Sequence, residues 1–262
     1  MWPAVAPHLP SLRVVVPLIA APLSLVLREG RAAWLFALAV TWCAFLIACV
    51  LLAEVLDRGV ISYAIGGFLP PYGIEYRVDA ANALVLVIVS GMGAAVMTFA
   101  RASVLAEIEP RNQTNFFAVF LLALTGLLGV TITGDAFNVF VFLEISSLST
   151  YVLVSMGGVR DRRAYSASIS YLIAGTIGIR LRYAATGTLN IVDLSERVQG
   201  LADSRLIRAG FAFIVVGIGL KLALFPLHLL LPNAYTYAPS AVTVFLAATS
   251  TKVAVYLLMR FM

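Results

Sequence analysis

An all-α, polytopic bundle of about eight membrane-spanning helices is the fold that this sequence predicts. Two observations carry that prediction. Charged residues make up 12% of the 262 residues against 61% hydrophobic ones, and the mean hydropathy is +0.99; a soluble domain carries about twice that charged fraction. The apolar residues also fall in runs long enough to cross a bilayer at about 1.5 Å per helical residue. A third observation bears on function: a few charges stand inside those runs, where each costs at least about 2.5–3.5 kcal/mol.

The first run, 14–27, is short and carries Pro17 and Pro22. No basic stretch marks Met1-Trp2-Pro3 and no convincing cleavage site follows Leu27, so this run reads as a retained span rather than a signal peptide. The second, 32–56, holds Glu54 near its end, together with Cys43 and Cys49. Those cysteines fall on different helix faces and support neither a metal site nor a disulfide; they read as small buried hydrophobes. The third, 80–100, has Gly91 and Gly93 for close helix contact. The fourth is 116–133. The fifth is 136–156, with Thr133-Gly134 as the turn before it and Asp135 as its N-cap. The sixth, 164–179, is cut short by Arg180 and Arg182; the seventh, 207–231, is broken at Pro226; the eighth is 242–259.

Between the second and third runs, 57–79 is polar enough to lie outside the membrane. Residues 74–79 alternate with period two, and Gly66-Gly67 and Pro70-Pro71 punctuate the stretch, so a short β-hairpin is expected there. The net charge of +5 reflects scattered arginines and points to membrane orientation rather than to nucleic acid. Arg160-Asp161-Arg162-Arg163 is the most basic short loop and is expected on the cytoplasmic side. Counting spans from it puts 57–79 and 187–208 together on the opposite side.

Inside the apolar runs stand Glu144, Lys221 and Lys252. Ser147 and Tyr151 follow Glu144 at i+3 and i+7, on one helical face. Lys221 has no other ionisable residue near it until His228, and Pro226 opens its helix by removing an N–H and crowding the carbonyl of Leu222. Irregular backbone at membrane depth is tolerated only where protein buries it or water lines it. A carboxylate, two amines and an imidazole on three helices suit a proton relay; a structural ion pair needs only one of each sign. A kink with Lys221 snorkelling to the interface is the plain alternative.

The same residues carry a family likeness. The stretch 133–144, the segment running from Phe225-Pro226-Leu227-His228 through Ala238-Pro239 to Lys252, and the loop 66–75 resemble the antiporter-like membrane subunits. That family includes the Mrp-type sodium/proton antiporter subunits, the proton-pumping subunits of NADH-quinone oxidoreductase and those of membrane-bound hydrogenases; the wording of 66–75 and 134–144 looks most like the D-subunit branch of the Mrp antiporters. The resemblance implies a fold of about fourteen helices with two inverted repeats, each with a broken helix. It makes 1–114 the N-terminal helices with their extramembrane loop, and 115–262 the first proton-translocating repeat, with the second repeat absent. It also makes Glu144 and Lys221 the gating pair, Lys252 the central relay lysine and His228 the histidine past the break. Leu230 and Asn233 depart from the family pattern, and the run before Arg180 is shorter than in relatives.

The expected function is that of a membrane subunit of a multi-subunit cation/proton antiporter or proton-pumping complex. It would sit in the cell membrane among other membrane subunits and relay protons, with sodium as the candidate coupled ion. Two alternatives stand beside it: a truncated, non-conducting remnant with an assembly role, and a subunit of a quinone-linked or hydrogenase-type redox pump. No flavin, haem or iron–sulfur motif is recognisable, so no cofactor or metal is expected and any enzymatic role is at most that of a translocase subunit.

Overall fold

The computed structural model describes residues 6–27, 30–157, 187–199, 204–225, 235 and 238–261. Its α-helices are α1 (Leu9–Val26), α2 (Gly30–Arg58), α3 (Ala80–Glu107), α4 (Gln113–Ile132), α5 (Ala136–Gly157), α6 (Ile191–Gln199), α7 (Arg205–Leu222) and α8 (Ser240–Phe261). A hairpin of β1 (Ile61–Ala64) and β2 (Glu75–Val78) joins α2 to α3, with Ile61 opposite Val78 and Ala64 opposite Glu75. Among the described residues, six helices, α1 to α5 and α8, are long and apolar enough to cross a membrane. The expected sixth run, the basic loop at 160–163, Arg180, Arg182, Pro226 and His228 lie outside the described residues.

α4 is the axis of the bundle. It is apolar on every side, and a helix of that kind is stable only when surrounded. α1, α2, α3, α5 and α8 all pack against it, and nearly every residue from Phe116 to Ile132 is buried. Glycines set the closest approaches. A Cβ on Gly126 would lie 2.5 Å from the Ser146 nitrogen, and one on Gly129 would lie 2.3 Å from the Phe142 ring, so α5 rides directly on the α4 backbone. Gly91 and Gly93 do the same more loosely, against Phe45 and Leu124. Hydroxyls within the spans are satisfied by their own helices: Thr125, Thr131 and Thr249 each donate to the carbonyl four residues back.

The α3–α8 pair is clamped at both ends. Asp79 caps α3, its Oδ1 accepting from the Asn82 amide at 3.0 Å, while its Oδ2 takes the Arg260 guanidinium from the end of α8 at 2.5 Å. At the opposite end, Glu107 and Ser103 of α3 accept from the first amides of α8: Ser240 N to Glu107 Oε2 at 2.9 Å and Ala241 N to Ser103 Oγ at 3.2 Å. One helix thus supplies the N-cap of the other, and a carboxylate meets the positive end of the α8 dipole.

Two expectations need correction. α1 begins at Leu9 rather than near residue 14, which takes Arg13 into the helix and buries it completely. Its Nη2 donates to the Leu86 carbonyl at 2.6 Å and to Ser90 Oγ at 3.2 Å. Cys43 and Cys49 are exposed, not buried. The outside of a membrane bundle is itself apolar, so an apolar residue in a span carries no information about which way it faces.

Candidate functional site

The helix that carries Glu144 is anchored by the turn before it. Gly134 N donates to the Glu75 carbonyl of β2, Ile191 N of α6 donates to the Gly134 carbonyl, and Ala136 N donates to the Leu189 carbonyl, each at 2.8 Å. Asp135 then caps α5, its Oδ1 accepting from the Asn138 amide at 2.9 Å. Burial pushes the Asp135 carboxyl above its usual range, against the lowering effect of the Asn138 and Phe137 amides. Below the turn, Glu75 is buried and its two oxygens accept from Ser62 Oγ at 2.5 Å and Asn190 Nδ2 at 2.9 Å. The other side of Asn190 caps α6 through the Val192 and Asp193 amides. One buried carboxylate therefore ties the hairpin to segment 187–199, and the two long polar stretches share one end of the bundle.

α7 approaches α5 and stops beside it. Its last residue is Leu222, whose carbonyl would have needed the N–H that proline at 226 lacks. Ala223 follows with φ of 53°, and Leu224 N donates back to the Gly219 carbonyl at 3.0 Å. That combination is a Schellman ending, with alanine in the left-handed position that glycine normally fills. Lys221 thus sits in the final turn of α7, where carbonyls at the negative end of the dipole favour a cation.

From there its Nζ donates to Ser146 Oγ at 2.6 Å and reaches Ser147 Oγ at 3.4 Å, both on α5. Glu144, two and three residues earlier on the same helix, is near enough for the two charges to interact. Among the described residues, no ion pair within 4.0 Å joins them. Lys252 is elsewhere: it is exposed on α8 and donates to its own helix at the Ala247 carbonyl, 2.5 Å away. The structure therefore brings Lys221 onto the helix of Glu144, while the Lys252 hydrogen bond stays within α8. Ser146 was not marked in the sequence, because the face counted from Glu144 picks out Ser147 and Tyr151. The signal that would have found it is Gly126, whose missing side chain fixes where α5 meets α4.

An apolar bundle with an extramembrane hairpin, a seventh helix that ends at Leu222 and a half-buried amine against a carboxylate-bearing helix defines a polytopic membrane protein. Its relatives agree. Residues 133–262 match the family described as NADH:quinone oxidoreductase/Mrp antiporter, transmembrane. The chain is 42% identical to NADH-quinone oxidoreductase subunit N of Desulforudis audaxviator, over 97% of the chain and 52% of that protein. It is 28% identical to the D subunit of the Na(+)/H(+) antiporter of Bacillus subtilis, over 95% of the chain and 51% of that protein. Among solved structures, an archaeal respiratory complex, the membrane-bound sulfane sulfur reductase, matches with a TM-score of 0.85 and 30% identity, covering 95% of this chain and 52% of that one. The chain spans about half the length of these relatives. It is an antiporter-like membrane protein by sequence and by fold, and its relatives are subunits of multi-subunit membrane complexes.

Proposed function

We propose that the chain serves as a membrane subunit of a cation/proton antiporter or proton-pumping complex in the cell membrane, moving protons by way of Glu144 and Lys221, with Lys252 and His228 further along the route. The observation that carries this reading is the placement of Lys221, an amine in the last turn of α7, hydrogen-bonded to the helix that bears Glu144. The composition supports it. Of the 18 lysines and arginines, only Lys221 and Lys252 are lysines, and both stand within apolar helices. Arginine stays charged under all ordinary conditions, whereas a lysine withdrawn from water gives up its proton readily. Both titratable amines of the chain thus stand in apolar helices, alongside the buried arginine Arg13 of α1.

The exposed face of α8 supports the partner side of the reading. Val244, Val255 and Met259 flank the exposed Lys252 there, and an ammonium at that depth suits a protein neighbour better than lipid. Coupling to redox chemistry rather than to sodium is favoured by the higher identity to the quinone oxidoreductase subunit than to the antiporter subunit. Proton flux through the complex isolated with the tagged chain tests the proposal. Glu144→Ala and Lys221→Ala should each abolish flux, and the double variant should be no worse than either, because the pair acts as one unit. Wild-type flux in both single variants would reduce the pair to a structural element.

A further inference from the structure

We propose that Ser146 is a positioning residue: it docks the Lys221 ammonium on α5 and so holds it off Glu144. This rests on the reading of Lys221 as a relay for its meaning, though not for its test.

Two side-chain cations of the helices, Arg13 and Lys221, are handled alike. Each donates to a serine hydroxyl on a neighbouring helix, and each of those serines donates to a carbonyl of its own helix. Ser90 donates to Leu86 and receives Arg13; Ser146 donates to Leu143 at 3.0 Å and receives Lys221 at 2.6 Å. Because its one proton is directed to the Leu143 carbonyl, the Ser146 oxygen presents only lone pairs to the amine. It can therefore accept from Lys221 and cannot donate to it. Its place is rigid: Ser146 is buried, and its backbone lies against Gly126 with no room for a side chain between them.

Helical geometry places the three acceptors of α5 in order. At about 100° per residue, Ser147 lies between Ser146 and Glu144 around the helix. Lys221 sits over the Ser146 edge, with Ser147 at the longer 3.4 Å and Glu144 beyond 4.0 Å. A charge-assisted hydrogen bond to a fixed oxygen offsets the pull of the carboxylate. Removing that oxygen leaves Glu144 as the stronger remaining acceptor on the same helix. Ser146 thus sets the resting position from which Lys221 reaches Glu144 by way of Ser147.

The two-lysine composition makes this measurable without transport. The chain is reconstituted in lipid with ¹⁵Nζ-lysine and either ¹³Cβ-serine or ¹³Cδ-glutamate, and dipolar dephasing of the amine signals is recorded by magic-angle-spinning NMR. Lys252→Arg assigns the two resonances. The Lys221 nitrogen should be dephased by serine carbon in the wild type, in Ser149→Ala and in a Ser147→Ala background that removes the second hydroxyl at 3.4 Å, and no longer once Ser146→Ala is added to that background. In that double variant it should instead gain dephasing from glutamate carbon. If the double variant does not fold, Ser146→Cys in the same background keeps the shape, and the same exchange of serine for glutamate dephasing is expected. Absence of serine dephasing in the wild type, its persistence in the Ser146→Ala/Ser147→Ala variant, or no gain of glutamate dephasing there would each overturn the proposal. A docked Lys221 in a chain whose complex moves no protons would refute the proposed function and leave the dock standing; the reverse pattern is equally visible.

Discussion

Replacing Gly126 with alanine puts the contact between α4 and α5 under direct load. The new Cβ would lie 2.5, 2.6 and 2.7 Å from the Ser146 N, Cβ and Cα atoms. Ordinary carbon contacts are about 3.5–4.0 Å, so the helices must part by about 1 Å. Two of those atoms are backbone and cannot turn aside. Overpacking of this kind costs about 1–3 kcal/mol. For a chain of this size that is a fall in Tm of about 2–4 °C for each kcal/mol. The displacement also carries Ser146 away from Lys221, and a 2.6 Å hydrogen bond lengthened by about 1 Å ceases to be one. Gly93→Ala is the control. Its Cβ would meet the tip of Leu124 at 3.1 and 3.4 Å, and a flexible side-chain end can rotate away. Thermal unfolding of the two variants in detergent should show a clear loss for Gly126→Ala and little change for Gly93→Ala. Equal melting of Gly126→Ala and wild type would refute the claim that α5 is seated on the α4 backbone.

Other expectations follow from the same geometry. Ala223→Gly should raise stability by about 0.5–1 kcal/mol, since the left-handed φ of 53° suits glycine, and amide exchange at 219–222 should slow; a loss of stability would mean that the turn is not left-handed. Glu107→Ala removes the acceptor that α3 offers to the α8 N-terminus and should cost about 0.5–2 kcal/mol, with faster exchange at Ser240 and Ala241. In α6, the Arg197 hydrogen bond holds the Asp193 carboxyl below its usual range. A lowered folded-state value stabilises the helix above the unfolded value, and the benefit is lost as pH falls through the folded one. Exchange in 194–197 should therefore quicken only on acidification below about pH 4, and Asp193→Asn should show the fast rate already at neutral pH.

The sequence made the spans legible because membrane helices announce themselves by length and hydropathy, and the Asp135 cap and the hairpin because turn and cap chemistry is local. What it hid was direction. Cys43 and Cys49 face outward, and Arg13 inward, for reasons that lie in neighbouring helices rather than in their own run. Glu75 was read as one charge in an alternating strand, yet it is buried through Ser62 and Asn190, the latter 115 positions away. α6 went unread inside a polar loop because its nine residues are held by the Asn190 cap and by packing of Ile191 and Leu194, not by a long apolar face. Ser146 is the same case at the site. Periodicity from Glu144 selects one face, while α7 arrives on the next, and only the packing at Gly126 decides that.

The central claim is that Lys221 works by changing its protonation, not merely by being positive. Lys221→Arg separates the two, because arginine keeps the charge and the hydrogen-bond donors but does not release a proton. The measurement is proton flux in liposomes carrying the complex isolated with the tagged chain, for wild type and Lys221→Arg at equal subunit content. A proton relay predicts that Lys221→Arg assembles normally and carries no flux. Wild-type flux through Lys221→Arg would contradict the account and leave Lys221 a fixed charge.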